Sequence, residues 1–470
     1  MRAAVAALFL FAAAARAGHE VVEIDAPPVV DYRVARDLDG DGKMELLLMT
    51  PKEAWFWRGR AGRPPARPDA IVKLPDGAAL FDFAALPEKP GEEQILVRTH
   101  SGIYAVGPGS PERRIDLPAG PGLPPSPANL LWRSLGYDLD GDGRRDFIDV
   151  STEGTTITYA AAPDPVRLPA VLSALAECRG RLPSERHVAR VSLAQWASGR
   201  FDGDLFPDFA LLAGPGLLLY PGDETGRVVA SRVREIELPE ATRGDLAFHD
   251  FNGDGWTDAL AVDRKAGTAH VILADPKEGL AKGARIPFAV RGTMRPPVVE
   301  DLDGDGRLDL ALPYFPNPSV QDAVRWFVRG EVVIYVPIFL NRGGTGCFSR
   351  VADRQVEVPI RLRVSSDAGG RISVGGLVVV EYAGDLDGDG RKDLLVTESP
   401  GALALHRGVP DKVFQEEPGM RLTVPDASPY EAVATTAADL NGDGRSDIIL
   451  HYRGAGRRPD RVLLLMSGKD

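Results

Sequence analysis

The chain of 470 residues holds only two cysteines and seven histidines. Cys178 and Cys347 can form at most one internal bridge. An oxidising compartment would permit it, but each lies in a stretch that interrupts the repeat described below, and the sequence leaves the pairing open. His19, His100, His187, His249, His270, His406 and His451 are scattered, and none stands at a metal-ligand spacing from another. There is no Gly-x-Ser-x-Gly elbow and no phosphate loop, so no constellation of catalytic residues is legible. No basic patch stands out, which excludes nucleic acid as an expected partner. Beyond the N-terminus no stretch is apolar for long enough to cross a membrane. No long amphipathic helix is evident, and strand-like segments dominate.

What the chain has in abundance is one nine-residue pattern, Asp-x-Asp/Asn-Gly-Asp-Gly-x-x-Asp/Glu, followed at once by an apolar run. Six copies are intact. In the copy at Asp301, carboxylates stand at positions one, three, five and nine: Asp301, Asp303, Asp305 and Asp309. Four acids in so short a loop repel one another without a counter-ion, and calcium takes six to eight oxygens at about 2.3–2.6 Å. The backbone carbonyl of Arg307, at position seven, is the expected further ligand, its side chain free to point outward. Gly304 and Gly306 let the chain curl through conformations that a side chain penalises. The same roles fall on Asp37, Asp39, Asp41, Lys43 and Glu45; on Asp138, Asp140, Asp142, Arg144 and Asp146; and on Asp385, Asp387, Asp389, Arg391 and Asp393. Two copies use Asn at position three, which offers a neutral oxygen: Asp250, Asn252, Asp254, Trp256 and Asp258, and Asp439, Asn441, Asp443, Arg445 and Asp447.

A helix-loop-helix calcium sensor opens similarly but needs a bidentate Glu at position twelve and flanking helices. Position twelve here is Leu48, Asp149, Ala261, Leu312, Val396 and Leu450, and the following residues read as strand. A seventh copy, Arg200-Phe201-Asp202-Gly203-Asp204 ending at Asp208, has Arg for the first carboxylate and Leu205 for the second Gly. Metal is not expected there. Either the Arg200 guanidinium takes the cation's place against Asp202, Asp204 and Asp208, or the copy has decayed. The formal net charge is −12; up to about six calcium ions in six loops would balance it, so the acidity is concentrated in the loops.

The copies start at intervals of 101, 62, 50, 51, 84 and 54 residues. The first interval is about double the short ones and hides a unit without the acidic loop: Phe81 to Leu86, Gln94 to Arg98 and Gly102 to Val106, with Pro87 to Glu93 in place of the loop. Units of four short strands at such periods indicate propeller blades. The expected fold is all-β, a single propeller of four-stranded blades, eight of them, or seven if the hidden unit is only a long loop. The last unit stops one strand short after Met466, and the spare strand Val21 to Ile24 can complete it and remove two sheet edges. Longer inserts are expected near 163–199, where Val171 to Ala176 suggests a short helix or strand pair, and near 313–380, with extra strands including Glu331 to Val336.

Residues 1–17 read as a secretory signal: charged Arg2, an apolar core from Ala3 to Ala15, and a small-x-small cleavage site at Ala15-Arg16-Ala17. The core is too short to span comfortably. The expected protein is therefore secreted, periplasmic or on the cell surface, with the propeller over 18–470.

The repeats resemble the FG-GAP or VCBS repeats of bacterial secreted proteins and of the integrin alpha-subunit head, on phrases such as Asp439-Leu440-Asn441-Gly442-Asp443-Gly444-Arg445-Ser446-Asp447-Ile448 and Phe339 to Phe348. The resemblance implies a calcium-stabilised propeller for binding, adhesion or display, with an unknown protein or glycan ligand; a monomer without catalysis is expected. The alternative is a carbohydrate-active enzyme such as a polysaccharide lyase, for which Arg325, Trp326 and Tyr314 are the candidates. The apparent acid pairs all belong to the loops, so reading them as glycosidase carboxylates counts them twice. Trp55, Phe56 and Trp57 form either core packing between blades or a sugar-stacking platform.

Overall fold

Each acidic loop ends where a continuous apolar run begins, and there the chain becomes a strand with both faces buried, as in Glu45–Met49 or Asp447–Arg453. In the computed structural model these strands build eight antiparallel sheets in a ring, an all-β eight-bladed propeller. It describes residues 19–468 except 87–90, 116–129, 152–153, 163, 170–173, 179–188, 194, 214–215, 239–244, 318–330, 362, 367–371, 376–379, 382–383, 400, 411–412, 425–426, 428–429, 431 and 455–457. The expected signal segment, Arg325 and Trp326 lie outside the described residues.

Blade one is Tyr32–Arg36, Glu45–Met49, Glu53–Trp57 and Ala70–Lys73; blade five is Asp245–His249, Asp258–Asp263, Thr268–Asp275 and Gly279–Ala289. The hidden unit is a true blade two, Leu80–Ala85, Glu93–Thr99, Gly102–Gly107 and Ser110–Ile115, which settles the count at eight. Blade two has an addition: Leu131–Trp132 pairs in parallel with its first strand. First strands stay half-buried, whereas fourth strands such as Arg234–Glu237 are largely exposed, as an outer rim is.

The spare N-terminal strand closes the circle. His19–Ile24 pairs antiparallel with Arg461–Ser467, from His19 opposite Ser467 to Ile24 opposite Val462, and completes blade eight. Apolar clusters fill the spaces between blades. The one between blades eight and one joins Val22, Leu46, Leu48, Trp57, Ile449 and Leu464. Phe56 and Trp57 are buried in such packing, and the Trp57 Nε1–H donates to the Pro65 carbonyl at 3.0 Å. The aromatic run is thus core and not a platform.

Three further expectations are corrected or refined. Glu331–Phe339 is not an extra strand but the third strand of blade six; the additions there are Tyr314–Pro316, beside Gly292–Met294, and a hairpin of Arg363–Ser366 with Ile372–Gly375. The insert near 163–199 holds a strand pair, Ala174–Cys178 with Ala189–Leu193, while Val171 to Ser173 lie outside the described residues. Cys347 is a free thiol buried in the cluster between blades five and six, so it is not bridged to Cys178. Burial pushes that thiol up to about 11.

The closing strand gives a test. Val22 is fully buried, so Val22→Asp places an unpaired carboxylate in the seam, at a cost of about 3 kcal/mol or more. The urea midpoint should fall accordingly, whereas the exposed Glu20→Ala should leave it unchanged.

Candidate metal centres on one face of the ring

The four strands of a blade run antiparallel in sequence order. Every connection from first to second strand therefore emerges at the same end of its blade. All seven acidic loops share one face of the ring. The second-to-third connections and the blade-to-blade links emerge at the other. The additions at Tyr314–Pro316, Arg363–Gly375 and Ala174–Leu193 all arise from these, so they share the face opposite the acids.

Within a loop each acid is held by the loop's own amides. In blade six Asp301 accepts from Gly304 N–H and Gly306 N–H, each at 2.8 Å; Asp303 accepts from Asp305 N–H at 3.2 Å, and Asp305 from Arg307 N–H at 2.9 Å. Gly304 and Gly306 have φ of 79° and 85°, in the left-handed region where a side chain is strained. The ninth acid differs. Asp309 is fully buried, with one oxygen accepting from Leu302 N–H at 2.9 Å and the other from Asn341 N–H at 2.8 Å, beyond the end of the third strand. The same double acceptance recurs in all seven loops, at Glu45, Asp146, Asp208, Asp258, Asp309, Asp393 and Asp447.

Carboxylate oxygens converge to within 4.8 Å of one another in Asp37, Asp39 and Asp41; Asp138, Asp140 and Asp146; Asp301, Asp303 and Asp309; and Asp385, Asp387 and Asp393. Such all-oxygen groups suit a hard divalent cation. Asp138 Oδ1 is buried without a hydrogen-bond donor, an orphan oxygen of the kind an ion would satisfy. The two Asn-bearing loops keep the same geometry: Asp250 and Asp439 accept from both glycine amides, and Asn252 and Asn441 accept from Asp254 N–H and Asp443 N–H.

Position seven is not free. The Arg307 guanidinium pairs with Asp305 and donates to the Asn341 carbonyl at 2.9 Å; Lys43 pairs with Asp41 at 2.8 Å and Arg391 with Asp389 at 3.5 Å. Side chains expected to point outward thus neutralise the fifth acid. Arg144 lies 3.9 Å from Asp142, Arg445 donates to the Gly468 carbonyl, and Trp256 is half-buried against the blade-four and blade-five core.

In the variant loop Asp202, Asp204 and Asp208 still converge. The cation beside them is not Arg200. Asp202 pairs with Arg234, 3.2 Å away on the fourth strand of the same blade. Arg200 instead joins the next loop: its N–H donates to Thr257 Oγ1 and its carbonyl accepts from Thr257 N–H, both at 3.0 Å. Loops touch their neighbours elsewhere too. Ser446 N–H donates to the Asp385 carbonyl at 2.6 Å, and Gly344 N–H to the Asn252 carbonyl at 3.2 Å.

Blade two, which lacks the acidic loop, is held by ion pairs that sequence reading missed. Arg36 pairs with Glu93 through two contacts, one of 2.8 Å, and Arg145 pairs with Asp82. Asp82 also accepts from Leu135 N–H at 2.9 Å. The signal was present: Arg36 directly precedes the loop on one side of this blade, and Arg145 occupies position eight of the loop on the other. His451, the most buried of the described histidines, bridges Asp460 at 2.9 Å and Arg33 at 3.1 Å at the seam, a structural contact.

Burial pushes Asp258, Asp309, Asp393 and Asp447 up to about 6 and Asp208 up to about 7; their two amide bonds pull the other way, and neighbouring loop acids add to the rise. An unfolded Asp titrates near 3.9. Between these values the folded, ion-free chain binds more protons than the unfolded one, so these groups favour folding below about pH 4 and that contribution fades as pH rises through 6 to 7.

This makes the domain a β-propeller whose blades carry acidic loops on one face, several of which could hold a cation. The FG-GAP-like repeat family model matches residues 250–312 and 385–450; the chain carries FG-GAP-like repeats on an eight-bladed ring. No curated protein matches the sequence. Among solved structures, BBS1N in complex with ARL6DN is 12% identical, covers 95% of this chain and 98% of its own, and has a TM-score of 0.39. An Agrocybe aegerita lectin for non-reducing terminal N-acetylglucosamine is 16% identical over 86% and 93%, with a TM-score of 0.39. These overlaps bear on neither ligand nor activity.

Two outcomes are expected. In chelator, the urea midpoint should fall as pH rises from about 5 to 8, less steeply for Asp208→Asn; a rising midpoint would contradict the burial argument. Asp309→Ala leaves two buried amides without acceptors and should cost about 2–4 kcal/mol, with or without metal.

Proposed function

We propose that the chain is an exported, monomeric, calcium-stabilised ring that binds a protein or glycan without catalysing a reaction. The observation that carries this reading is the division of the ring into two faces. Acid loops, committed to holding ions and to stapling strands, occupy one face, and the additions to the repeat occupy the other. Loops free of structural duty are where recognition residues accumulate. The positions that would hold calcium are the first, third and ninth acids of each loop, with the fifth as a further oxygen. The ninth acid gives each oxygen to one amide and keeps a second lone pair on each. The ion supplies positive charge that holds the acids together. No helix among the described residues is long and apolar enough to cross a membrane.

For a lyase, Tyr314 is the one described candidate, and its ring stacks on Tyr335 with centroids 5.5 Å apart. That contact leaves it a packing role.

Calcium at about a hundredfold excess over its Kd should stabilise by about 2.7 kcal/mol per site. Chelation should therefore lower the melting temperature and calcium restore it; unchanged melting in chelator would sink the reading. Asp303→Ala should remove most of the calcium-dependent gain of its blade yet change little in chelator, whereas Asp309→Ala should lower stability in chelator as well. A polysaccharide panel read for both binding and unsaturated-product absorbance tests the absence of catalysis, and turnover of any polymer would replace this reading with the enzymatic one.

A further inference from the structure

Buried arginines in this ring are matched to acids: Arg98 pairs with Asp149 at 2.7 Å, Arg145 with Asp82, and Arg461 with Glu23 at 2.9 Å. Arg133 is half-buried and has no acidic partner among the described residues. It follows Leu131–Trp132, the segment added beside the first strand of blade two, and is fixed by its own N–H donating to the Phe81 carbonyl at 3.0 Å and by Leu131 N–H donating to the Ala79 carbonyl at 2.9 Å. The backbone there is held on both sides, so the arginine's position is determined by the sheet.

Arg133 lines a cleft of about 190 Å3 between blades four and five, with Gln195, Trp196, Leu212, Leu217 and Phe248. Gln195, Trp196, Leu212 and Leu217 lie where the first strand of blade four begins, its second ends and its third begins, which is the face carrying the additions, and Phe248 lies further along the first strand of blade five. Trp196 is braced from behind by Phe209, stacked at 5.5 Å and 24°. Burial lowers the readiness of Arg133 to carry its charge, and only the nearby Tyr32 favours it. A desolvated guanidinium beside apolar walls lacks the one thing its surroundings would reward, an anion with an apolar body.

We propose that this cleft binds a carboxylate carried on a small apolar group, with Arg133 taking the carboxylate and Trp196, Leu217 and Phe248 the body. The volume holds about six waters, room for a benzoate-sized group. A fork of guanidinium donors meets a carboxylate in two parallel bonds, which a neutral isostere cannot reproduce. The source of the carboxylate is either a free organic acid or the C-terminal residue of a peptide. The inference deepens the binding role proposed above and rests on it.

Ligand-observed fluorine NMR on the calcium-loaded chain tests it, with 4-fluorobenzoate against 4-fluorobenzyl alcohol, and a peptide ending in phenylalanine with a free against an amidated C-terminus. Fluorobenzoate should bind and the alcohol should not. Arg133→Gln should weaken fluorobenzoate about tenfold or more, and Arg133→Lys should fall between, with melting temperatures unchanged to show that the ring is intact. Binding of the free-acid peptide as well would assign the site to a chain end, and its absence to a free acid. Equal binding of acid and alcohol, undiminished binding to Arg133→Gln, or no binding of either acid overturns the carboxylate site. Binding of another partner on this face in that case leaves the binding role standing, and turnover of a polymer removes that role without touching the carboxylate result.

Discussion

A buried carboxylate that takes two backbone amides, one from its own loop and one from near the end of the third strand, is the contact on which the ring depends. It recurs at Glu45, Asp146, Asp208, Asp258, Asp309, Asp393 and Asp447. It joins the first two strands to the third and satisfies amides that burial would otherwise leave without acceptors. The cost is a charge without water, visible in the raised titration of these acids. A cation at the loop offsets that cost directly. Acidic loop and blade staple are one structure, and in the variant loop the staple is present although Arg200 stands at the first carboxylate's position.

Around that contact the face organises itself. The fifth acids Asp41, Asp142, Asp305 and Asp389 face a basic residue two positions on, and in four of the intact loops three acids converge. Neighbouring loops hydrogen-bond to one another, as Asp385 does with Ser446 and Arg200 with Thr257. These bonds tie one loop directly to the next. Where blade two lacks the acidic loop, Arg36 and Arg145 reach in from the flanking units to Glu93 and Asp82. The opposite face carries none of these duties, and there the blades acquire extra strands and an arginine without an acid.

Much of this was legible in the residues. The spacing of the acids and the apolar run after each gave the loop-to-strand unit, because a short continuous apolar run bounded by turn residues marks a strand buried on both faces. The doubled first interval exposed the hidden blade, and the incomplete last unit identified the role of Val21 to Ile24. Glu331 to Val336 was misplaced as an addition because the long second-to-third connection of blade six separates it from its partner Asp309–Ala311, and spacing alone does not say which strands meet. The Trp55 to Trp57 run could be core or platform until burial placed Phe56 and Trp57 between blades.

The sequence by itself determined the repeat, the acids that can face a cation, and the closure of the ring, since these follow from local spacing and from the need to pair every sheet edge. Only the tertiary structure decided which charge meets which. Arg234, not Arg200, answers Asp202; Arg307 turns back on Asp305; Cys347 stays a free thiol; and Arg133 stands at a cleft with Trp196 and Phe248. The physical reason is that long side chains reach across blades, so their partners depend on how the sheets are set around the ring and not on distance along the chain.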